Sequence, residues 1–114
     1  MSDKAVGLTL DIVRSGTTVM VRCHGKLVAG VDDVLYRSVK ELLPESKRIV
    51  LDLTDLTRVD SMGLGTLVRL YVSARSAGCS LELINLSQQV WLILKTANLL
   101  SAFSTVAEHN IKMC

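Results

Sequence analysis

Two stretches near the N-terminus alternate hydrophobic positions with more polar ones. The first runs from Leu8 to Ile12 and the second from Val19 to Cys23. A period of two is expected of strands that bury one face. The dipeptide Ser15-Gly16 lies between the two stretches and predicts a hairpin turn. We therefore expect an antiparallel pair of strands in this part of the chain.

Three later stretches place their hydrophobic residues at helical spacing instead. The first is stopped by Pro44, because proline cannot continue a helix. The second runs from Gly63 to Gly78, a residue suited to the left-handed conformation that closes many helices. The third follows Ser87, which is expected to cap it, and is expected to end at Asn98. These spacings predict three helices.

Two further strands separate the helices. Residues Arg48–Leu53 are largely aliphatic, as in a strand covered on both faces, and Cys79–Ile84 alternate again. The order strand, strand, helix, strand, helix, strand, helix predicts an α/β domain with a mixed β-sheet, its N-terminal hairpin antiparallel and its helix-linked strands parallel. Residues 99–106 fit a short strand or a last helix equally well. We expect one domain over residues 1–114.

Composition and charge exclude several classes of function. The net charge of +2 arises from 13 basic and 11 acidic residues that are scattered along the chain, so no nucleic-acid binding is expected. The longest apolar run, Val90–Leu94, falls far short of the roughly 20 residues that span a bilayer. We expect a cytoplasmic protein without direct membrane insertion. Three widely spaced cysteines, Cys23, Cys79 and Cys114, are expected to be free thiols.

The stretch LTRVDSMGLGTLVRL carries the candidate chemistry, because an acid, a serine and a glycine stand where a strand leads into a helix. In the simplest interpretation, the Ser61 hydroxyl caps the helix and Asp60 complements the helix dipole. Gly63 and Gly65 need another explanation, since each costs about 1 kcal/mol relative to alanine inside a helix. We expect them to clear the surface around Ser61.

Enzymatic interpretations of this stretch are weak. A nucleophilic Ser61 lacks the first glycine of Gly-x-Ser-x-Gly, and its only candidate bases are His24, expected after the second strand, and His109 in the polar tail. The sequence GLGT lacks the lysine of a phosphate-binding loop. The nearby acids Asp52, Asp55 and Asp60 would be spread along one strand and its loop, so solvated acids are a better explanation than a metal site. No catalytic residue, metal or cofactor is therefore expected.

Covalent modification is a further use of the Ser61 hydroxyl. A phosphate would place about −1.5 to −2 charges at a helix N-terminus, where unpaired amides and the dipole tolerate an anion. A partner packed on the same surface would have to bury that charge beside Asp60, which can cost several kcal/mol. One phosphate could therefore abolish binding while the domain stays folded.

With these residues in view, the stretch Arg48–Ser87 resembles the STAS domain family, specifically the bacterial anti-sigma-factor antagonists. The resemblance implies a non-enzymatic switch with Ser61 as its phosphoacceptor. Unmodified proteins of this kind bind an anti-sigma serine kinase and so release a sigma factor; the kinase phosphorylates the serine with ATP, and a metal-dependent serine phosphatase resets it. The partner-binding residues that this implies are Gly25, Lys26, Leu27, Val28, Asp60, Ser61, Met62, Gly63 and Leu64.

One segment departs from the family pattern. After the second strand the family commonly has Gly-acid-Leu-Asp, whereas this chain has Gly25-Lys26-Leu27-Val28. The change is compatible with a different kinase partner, with slower phosphorylation or with an unused serine, and Asp32 and Asp33 are candidates to replace the lost acids. A STAS scaffold subunit of a signalling or transporter assembly, without phosphorylation, is the alternative function.

Overall fold

The computed structural model describes residues 2–5, 7–96, 103–107 and 110–113. Its helices are α1 (Asp32–Leu42), α2 (Ser61–Ser76) and α3 (Gln88–Thr96), with a short 3₁₀ helix at Leu43–Glu45. Its strands are β1 (Ser2–Ala5), β2 (Leu8–Ser15), β3 (Thr18–Leu27), β4 (Arg48–Val59), β5 (Ser80–Ile84), β6 (Phe103–Ala107) and β7 (Asn110–Met113). None of the helices in these ranges is long and apolar enough to cross a membrane.

The described strands form one mixed sheet in the order β1-β2-β3-β4-β5-β7-β6. The first three are antiparallel neighbours, and β3, β4 and β5 are parallel, linked by α1 and α2 as crossovers. The predicted α/β fold with an N-terminal hairpin is confirmed, and Ser15 pairs with Thr18 across the predicted turn. In the segment that fitted either a strand or a helix, β6 forms a strand. The predicted helix end at Asn98 lies outside the described residues.

An aliphatic core lies between the sheet and the helices. The alternating positions of β2 and β3 are buried, as the period of two predicted. Leu35 of α1, Leu67 of α2 and Leu94 of α3 pack into the same cluster. Burial of each such leucine contributes about 2 kcal/mol. Cys23 is a free thiol in this core, where burial, and secondarily the charge of Asp52, raises its pKa to about 12.

The helix ends follow the predicted signals in two places. Ser87 caps α3 by accepting a hydrogen bond from the amide of Val90 at 3.1 Å. Gly78 follows α2 with a φ of 71°, the left-handed conformation that glycine adopts without strain. The amide of Cys79 then donates to the Ala74 carbonyl at 2.9 Å, which closes the last turn of α2.

Strand β4 differs most from the prediction. It continues through the polar stretch after Leu53 as far as Val59, because its pairing with β3 continues across two register shifts. Asp55 therefore lies on the same strand as Asp52 and not in a loop. The same pairing places His24 inside β3 rather than after it. As a result, β3 and β4 end side by side, directly before Val28 and Asp60.

Candidate functional site

Helix α2 begins at Ser61, and Asp60 rather than Ser61 is its N-cap. Asp60 has an extended backbone, and its Oδ1 accepts a hydrogen bond from the amide of Gly63 at 2.9 Å. Its Oδ2 accepts a second one from the amide of Ala29, also at 2.9 Å. Asp60 therefore ties the start of α2 to the loop that follows β3. The amides of Ala29 and Gly63 lower the pKa of Asp60 below its ordinary value.

Gly63 brings α2 against the end of β3. A Cβ atom at this position would lie 2.0 Å from the carbonyl oxygen of Leu27 and 2.8 Å from its carbonyl carbon. The amide of Asp60 donates to the same oxygen at 3.3 Å. Gly63 is therefore buried packing against Leu27, and the expectation that it clears the surface around Ser61 is wrong. A Cβ at Gly65, by contrast, would meet nothing within 4 Å.

Ser61 and Met62 are the exposed residues of the first turn of α2. Met62 keeps 53% of its surface exposed although its side chain is apolar. Ser61 follows the capping residue, so its hydroxyl is not the group that caps the helix. An exposed hydroxyl at the start of a helix is accessible to another protein, and a negative charge there would be stabilised by the helix dipole.

The structure brings the two predicted partner-binding segments, residues 25–28 and 60–64, together through the Leu27 contact. Leu27 and Gly63 are buried against each other, so they shape the surface from beneath and do not form it. Gly25 has a φ of 108°, and a Cβ there would lie 2.1 Å from the Gly7 carbonyl oxygen, so its glycine identity has a structural cause. The residues of the two segments that retain exposed surface are Gly25, Lys26, Val28, Asp60, Ser61, Met62 and Leu64.

The two candidate replacement acids each have a partner of their own. Asp32 is 6% exposed and accepts a hydrogen bond from the Thr66 hydroxyl at 2.9 Å, with the Arg69 guanidinium 3.7 Å away. It therefore ties α1 to α2 inside the protein. Asp33 is exposed and pairs with Arg37 one helical turn later, at 2.8 Å. Asp32 is therefore not available to replace the lost acids, whereas Asp33 remains an exposed candidate that already has a surface partner in Arg37.

A cationic pair stands in this region that the sequence analysis missed. Lys26 of β3 and Arg58 of β4 are register neighbours, one position before the pair Leu27 and Val59, and both are exposed. Arg58 also contributes to the lowered pKa of Asp60, after the amide hydrogen bonds. Only the length of β4 and its register shifts reveal this neighbourhood, so the residue order alone gave no signal of it.

His24 belongs to a different cluster. Its Nε2 lies 2.8 Å from Asp11 Oδ2 and its Nδ1 lies 3.0 Å from Asp55 Oδ2, and Arg22 contacts the same Asp55 oxygen at 3.1 Å. The cluster connects β2, β3 and β4. Because both ring nitrogens are engaged, His24 is not available to Ser61 as a base. The other candidate base, His109, lies outside the described residues.

The three acids named in the sequence analysis also have separate partners. Asp52 accepts hydrogen bonds from Thr54 and Asn85, which lower its pKa although partial burial opposes them. Asp55 binds Arg22 and His24, and Asp60 caps α2. The described residues contain no group of three or more histidine, cysteine or acidic side chains placed to hold a metal.

Comparison with known proteins agrees with this architecture. The STAS domain family model matches residues 9–110. The structure of the anti-sigma factor antagonist SpoIIAA in its unphosphorylated form is similar, with a TM-score of 0.70 and 17% identity over 79% of this chain and 81% of that one. The Bacillus cell fate determinant SpoIIAA in its phosphorylated form gives a TM-score of 0.66 and 16% identity over 79% and 84%.

A transporter-related protein is comparably similar. The sulfate transporter family protein from Wolinella succinogenes gives a TM-score of 0.68 and 21% identity over 79% of this chain and 74% of that one. Identities this low show a shared fold and leave the specific role open. The extent of the family match is decisive for membership, and on that basis this chain belongs to the STAS domain family.

Proposed function

We propose that this protein is an anti-sigma-factor antagonist controlled by phosphorylation of Ser61. In its unmodified form it binds an anti-sigma serine kinase and frees the sigma factor. The observation that carries the proposal is the position of Ser61: it is exposed at the first residue of α2, beside an acid whose two oxygens are already hydrogen-bonded. The likeness to SpoIIAA, known in unphosphorylated and phosphorylated forms, supports the same proposal.

The local geometry explains why the fold would tolerate a phosphate. The α2 dipole stabilises an anion at this end, and Asp60 keeps its own amide partners whether or not Ser61 is modified. A docked partner has no such compensation, because it would bury a dianion next to the Asp60 carboxylate. Such burial costs several kcal/mol when the charge is unpaired. Phosphorylation therefore releases the partner and leaves the domain folded.

The proposal also includes the enzymes that set the switch and the place where the protein acts. The anti-sigma kinase supplies the phosphate from ATP, and a metal-dependent serine phosphatase removes it. The protein itself acts in the cytoplasm as a single, non-enzymatic binding module, without a cofactor and without nucleic acid. The exposed residues of the segments 25–28 and 60–64 form the contact surface.

Phosphorylation and binding can be tested with purified proteins. The chain is incubated with ATP and each anti-sigma serine kinase of its own organism, and intact mass is measured. We expect one added phosphate, lost in Ser61→Ala and kept in Ser76→Ala, an exposed serine near the other end of α2. Ser61→Asp should weaken the kinase complex more than tenfold, about 1.4 kcal/mol, whereas Ser76→Asp should not. Equal affinity of wild type and Ser61→Asp would refute the switch.

The likeness to the Wolinella sulfate transporter family protein favours one other function, a STAS subunit of a larger assembly that does not use phosphorylation. In that case no kinase would modify Ser61, and Ser61→Asp would leave the assembly intact. The genes beside this one offer a further test: kinase or sigma-factor genes favour the switch, and transporter genes favour the subunit.

A further inference from the structure

The exposed pair Lys26 and Arg58 is an unusual arrangement for two cations. They occupy neighbouring positions across the parallel strands β3 and β4. Like charges at such positions repel each other and weaken a sheet. Within residues 7–96, neither forms a salt bridge, although Arg22, Arg37, Arg48 and Arg69 each pair with an acid. The fold thus gains nothing evident from placing these two charges together.

The nearest acid does not neutralise the pair. The two oxygens of Asp60 accept hydrogen bonds from the amides of Ala29 and Gly63. Arg58 interacts with Asp60 only electrostatically, without a salt bridge. The two candidate replacement acids, Asp32 and Asp33, are held by Thr66 and Arg37. With the Asp60 carboxylate counted against them, Lys26 and Arg58 leave one positive charge in excess on the surface beside Ser61.

Lys26 lies within the surface that the proposed function uses, and Arg58 is its register neighbour at the border of that surface. Lys26 belongs to the segment that ends β3, and Arg58 stands three residues before Ser61. Met62, 53% exposed, is an apolar side chain in the first turn of α2, which follows β4 directly. Interfaces commonly combine an apolar centre with a charged rim.

We propose that the partner presents an acidic surface to Lys26 and Arg58, with an apolar recess for Met62. This inference rests on the proposed function for the location of the surface and adds the chemistry of the partner. Opposite charges accelerate encounter and fix the register of the complex. A partner that carries basic residues at this position would be repelled, so the pair also selects among related kinases.

The same chemistry strengthens the effect of phosphorylation. A phosphate on Ser61 would face the carboxylates of the partner, so it would repel the partner as well as resist burial. It would at the same time offset the excess charge of Lys26 and Arg58. Both effects favour the free, phosphorylated protein over the complex.

Charge reversal tests this inference with the kinase that phosphorylates Ser61. Lys26→Glu and Arg58→Glu are compared with Lys47→Glu, which makes the same change at an exposed position just before the opposite end of β4. We expect each reversal at the pair to lower the affinity of the unmodified protein at least tenfold, mainly through the association rate. Raising the salt concentration from 50 to 500 mM should weaken the wild-type complex and remove most of this difference. The Lys47→Glu variant should bind within twofold of wild type.

Thermal unfolding separates loss of binding from loss of folding. Because the reversals relieve repulsion, the variants should unfold at or above the wild-type temperature. Folded variants with unchanged or increased affinity would overturn the inference. The inference would also be overturned if the substitutions left binding unchanged and lowered the unfolding temperature of the Ser61-phosphorylated protein alone. The pair would then stabilise the phosphate within the protein and not contact a partner.

A kinase-independent measurement distinguishes this inference from the switch itself. Amide chemical shifts are followed during titration with hexaglutamate and, separately, with hexalysine. Hexaglutamate should shift residues 25–28 and 58–62 in wild type and not in the double variant Lys26→Glu/Arg58→Glu, and hexalysine should not shift them. If no kinase modifies Ser61, the proposed function fails while this result can still stand. If hexaglutamate fails to perturb these residues, the acidic-partner inference fails whatever the kinase result.

Discussion

Besides its packing in the core, α2 is held by two contacts that are built from different parts of the chain. The first, the α2–β3 contact, consists of Leu27, Asp60 and Gly63 and depends mainly on backbone atoms that approach at the carboxyl ends of β3 and β4. The second, the α2–α1 contact, consists of Asp32, Thr66 and Arg69 and depends on polar side chains between two helices. Both begin with an acid close to a helix N-terminus, yet only one of these acids lies beside the proposed phosphorylation site.

The difference shows how a surface can be exposed and still have a fixed orientation. Ser61 and Met62 are exposed, but the residue that follows them leaves no room for a Cβ atom. The orientation of the first turn of α2 is therefore fixed by the shape of the backbone. The α2–α1 contact is fixed instead by charge and hydrogen bonding. Substitutions should consequently affect the two contacts in different ways.

The largest expected effect is that of Gly63→Ala. Its methyl group would collide with the Leu27 carbonyl, a backbone atom that cannot move aside without displacing β3 or α2. We expect the free energy of unfolding, measured in urea, to fall by about 3 kcal/mol, at the upper end of typical overpacking costs.

Gly65→Ala is the matched control for that substitution, because it adds the same atom two residues later in the same helix, where nothing lies within 4 Å. We expect it to raise the free energy of unfolding by up to about 1 kcal/mol, since alanine is the better helix former. Similar effects of the two substitutions would mean that the α2–β3 contact is less close than the structure shows.

The next largest effect should come from Asp32→Ala in the α2–α1 contact. The substitution leaves the fully buried Thr66 hydroxyl without its acceptor. A buried donor without a partner costs about 2 kcal/mol, which urea unfolding would detect. Asp33→Ala, its exposed neighbour paired with Arg37, should cost at most about 0.5 kcal/mol.

A double substitution checks the physical cause of that loss. Replacing Thr66 by valine as well removes the stranded hydroxyl, so Asp32→Ala/Thr66→Val should recover part of the stability lost in Asp32→Ala. If the two losses simply add, the hydrogen bond between Asp32 and Thr66 does not account for the contact.

The parts of the fold that the sequence predicted are those set by local patterns. The period of two in β2 reflects burial of one face, and Gly78 and Ser87 act within their own helix ends. Strand β4 was predicted to end at Leu53 because the residues after it are mostly polar. Its continuation to Val59 depends on pairing with β3, which the residue order does not specify.

For the candidate site, the sequence predicted that residues 25–28 and 60–64 lie close together, but not the contacts that join them. Ser61 and its neighbours were identified from the strand-to-helix transition and from the family resemblance. Asp60 and Ser61 are both good capping residues, and the contact with Leu27 decides between them. The packing role of Gly63 and the pairing of Lys26 with Arg58 arise between distant segments, so no local pattern could reveal them.

The smallest expected effect, that of Asp60→Asn, tests by its pH dependence whether charge contributes to the α2–β3 contact. Asparagine can accept the hydrogen bond of one amide, but its NH₂ group cannot accept the other, so Asp60→Asn should lower stability at pH 7. The amides of Ala29 and Gly63 lower the pKa of Asp60 in the folded state. The stabilising contribution of the Asp60 charge is therefore complete above the pKa of the unfolded state, about 4, and is lost as the pH falls through the lower pKa of the folded state.

The stability gap between wild type and Asp60→Asn should consequently be larger at pH 7 than at pH 3, as measured by urea unfolding at both values. Wild-type stability alone would not report this, because hydrogen bonds also lower the pKa of Asp52 against the opposing effect of burial, and Asp52 adds its own acid dependence. Subtracting the variant cancels that contribution, since Asp52 is present in both proteins. A gap of the same size at both pH values would show that the Asp60 charge contributes nothing to the α2–β3 contact. Backbone shape alone would then hold the first turn of α2 against β3.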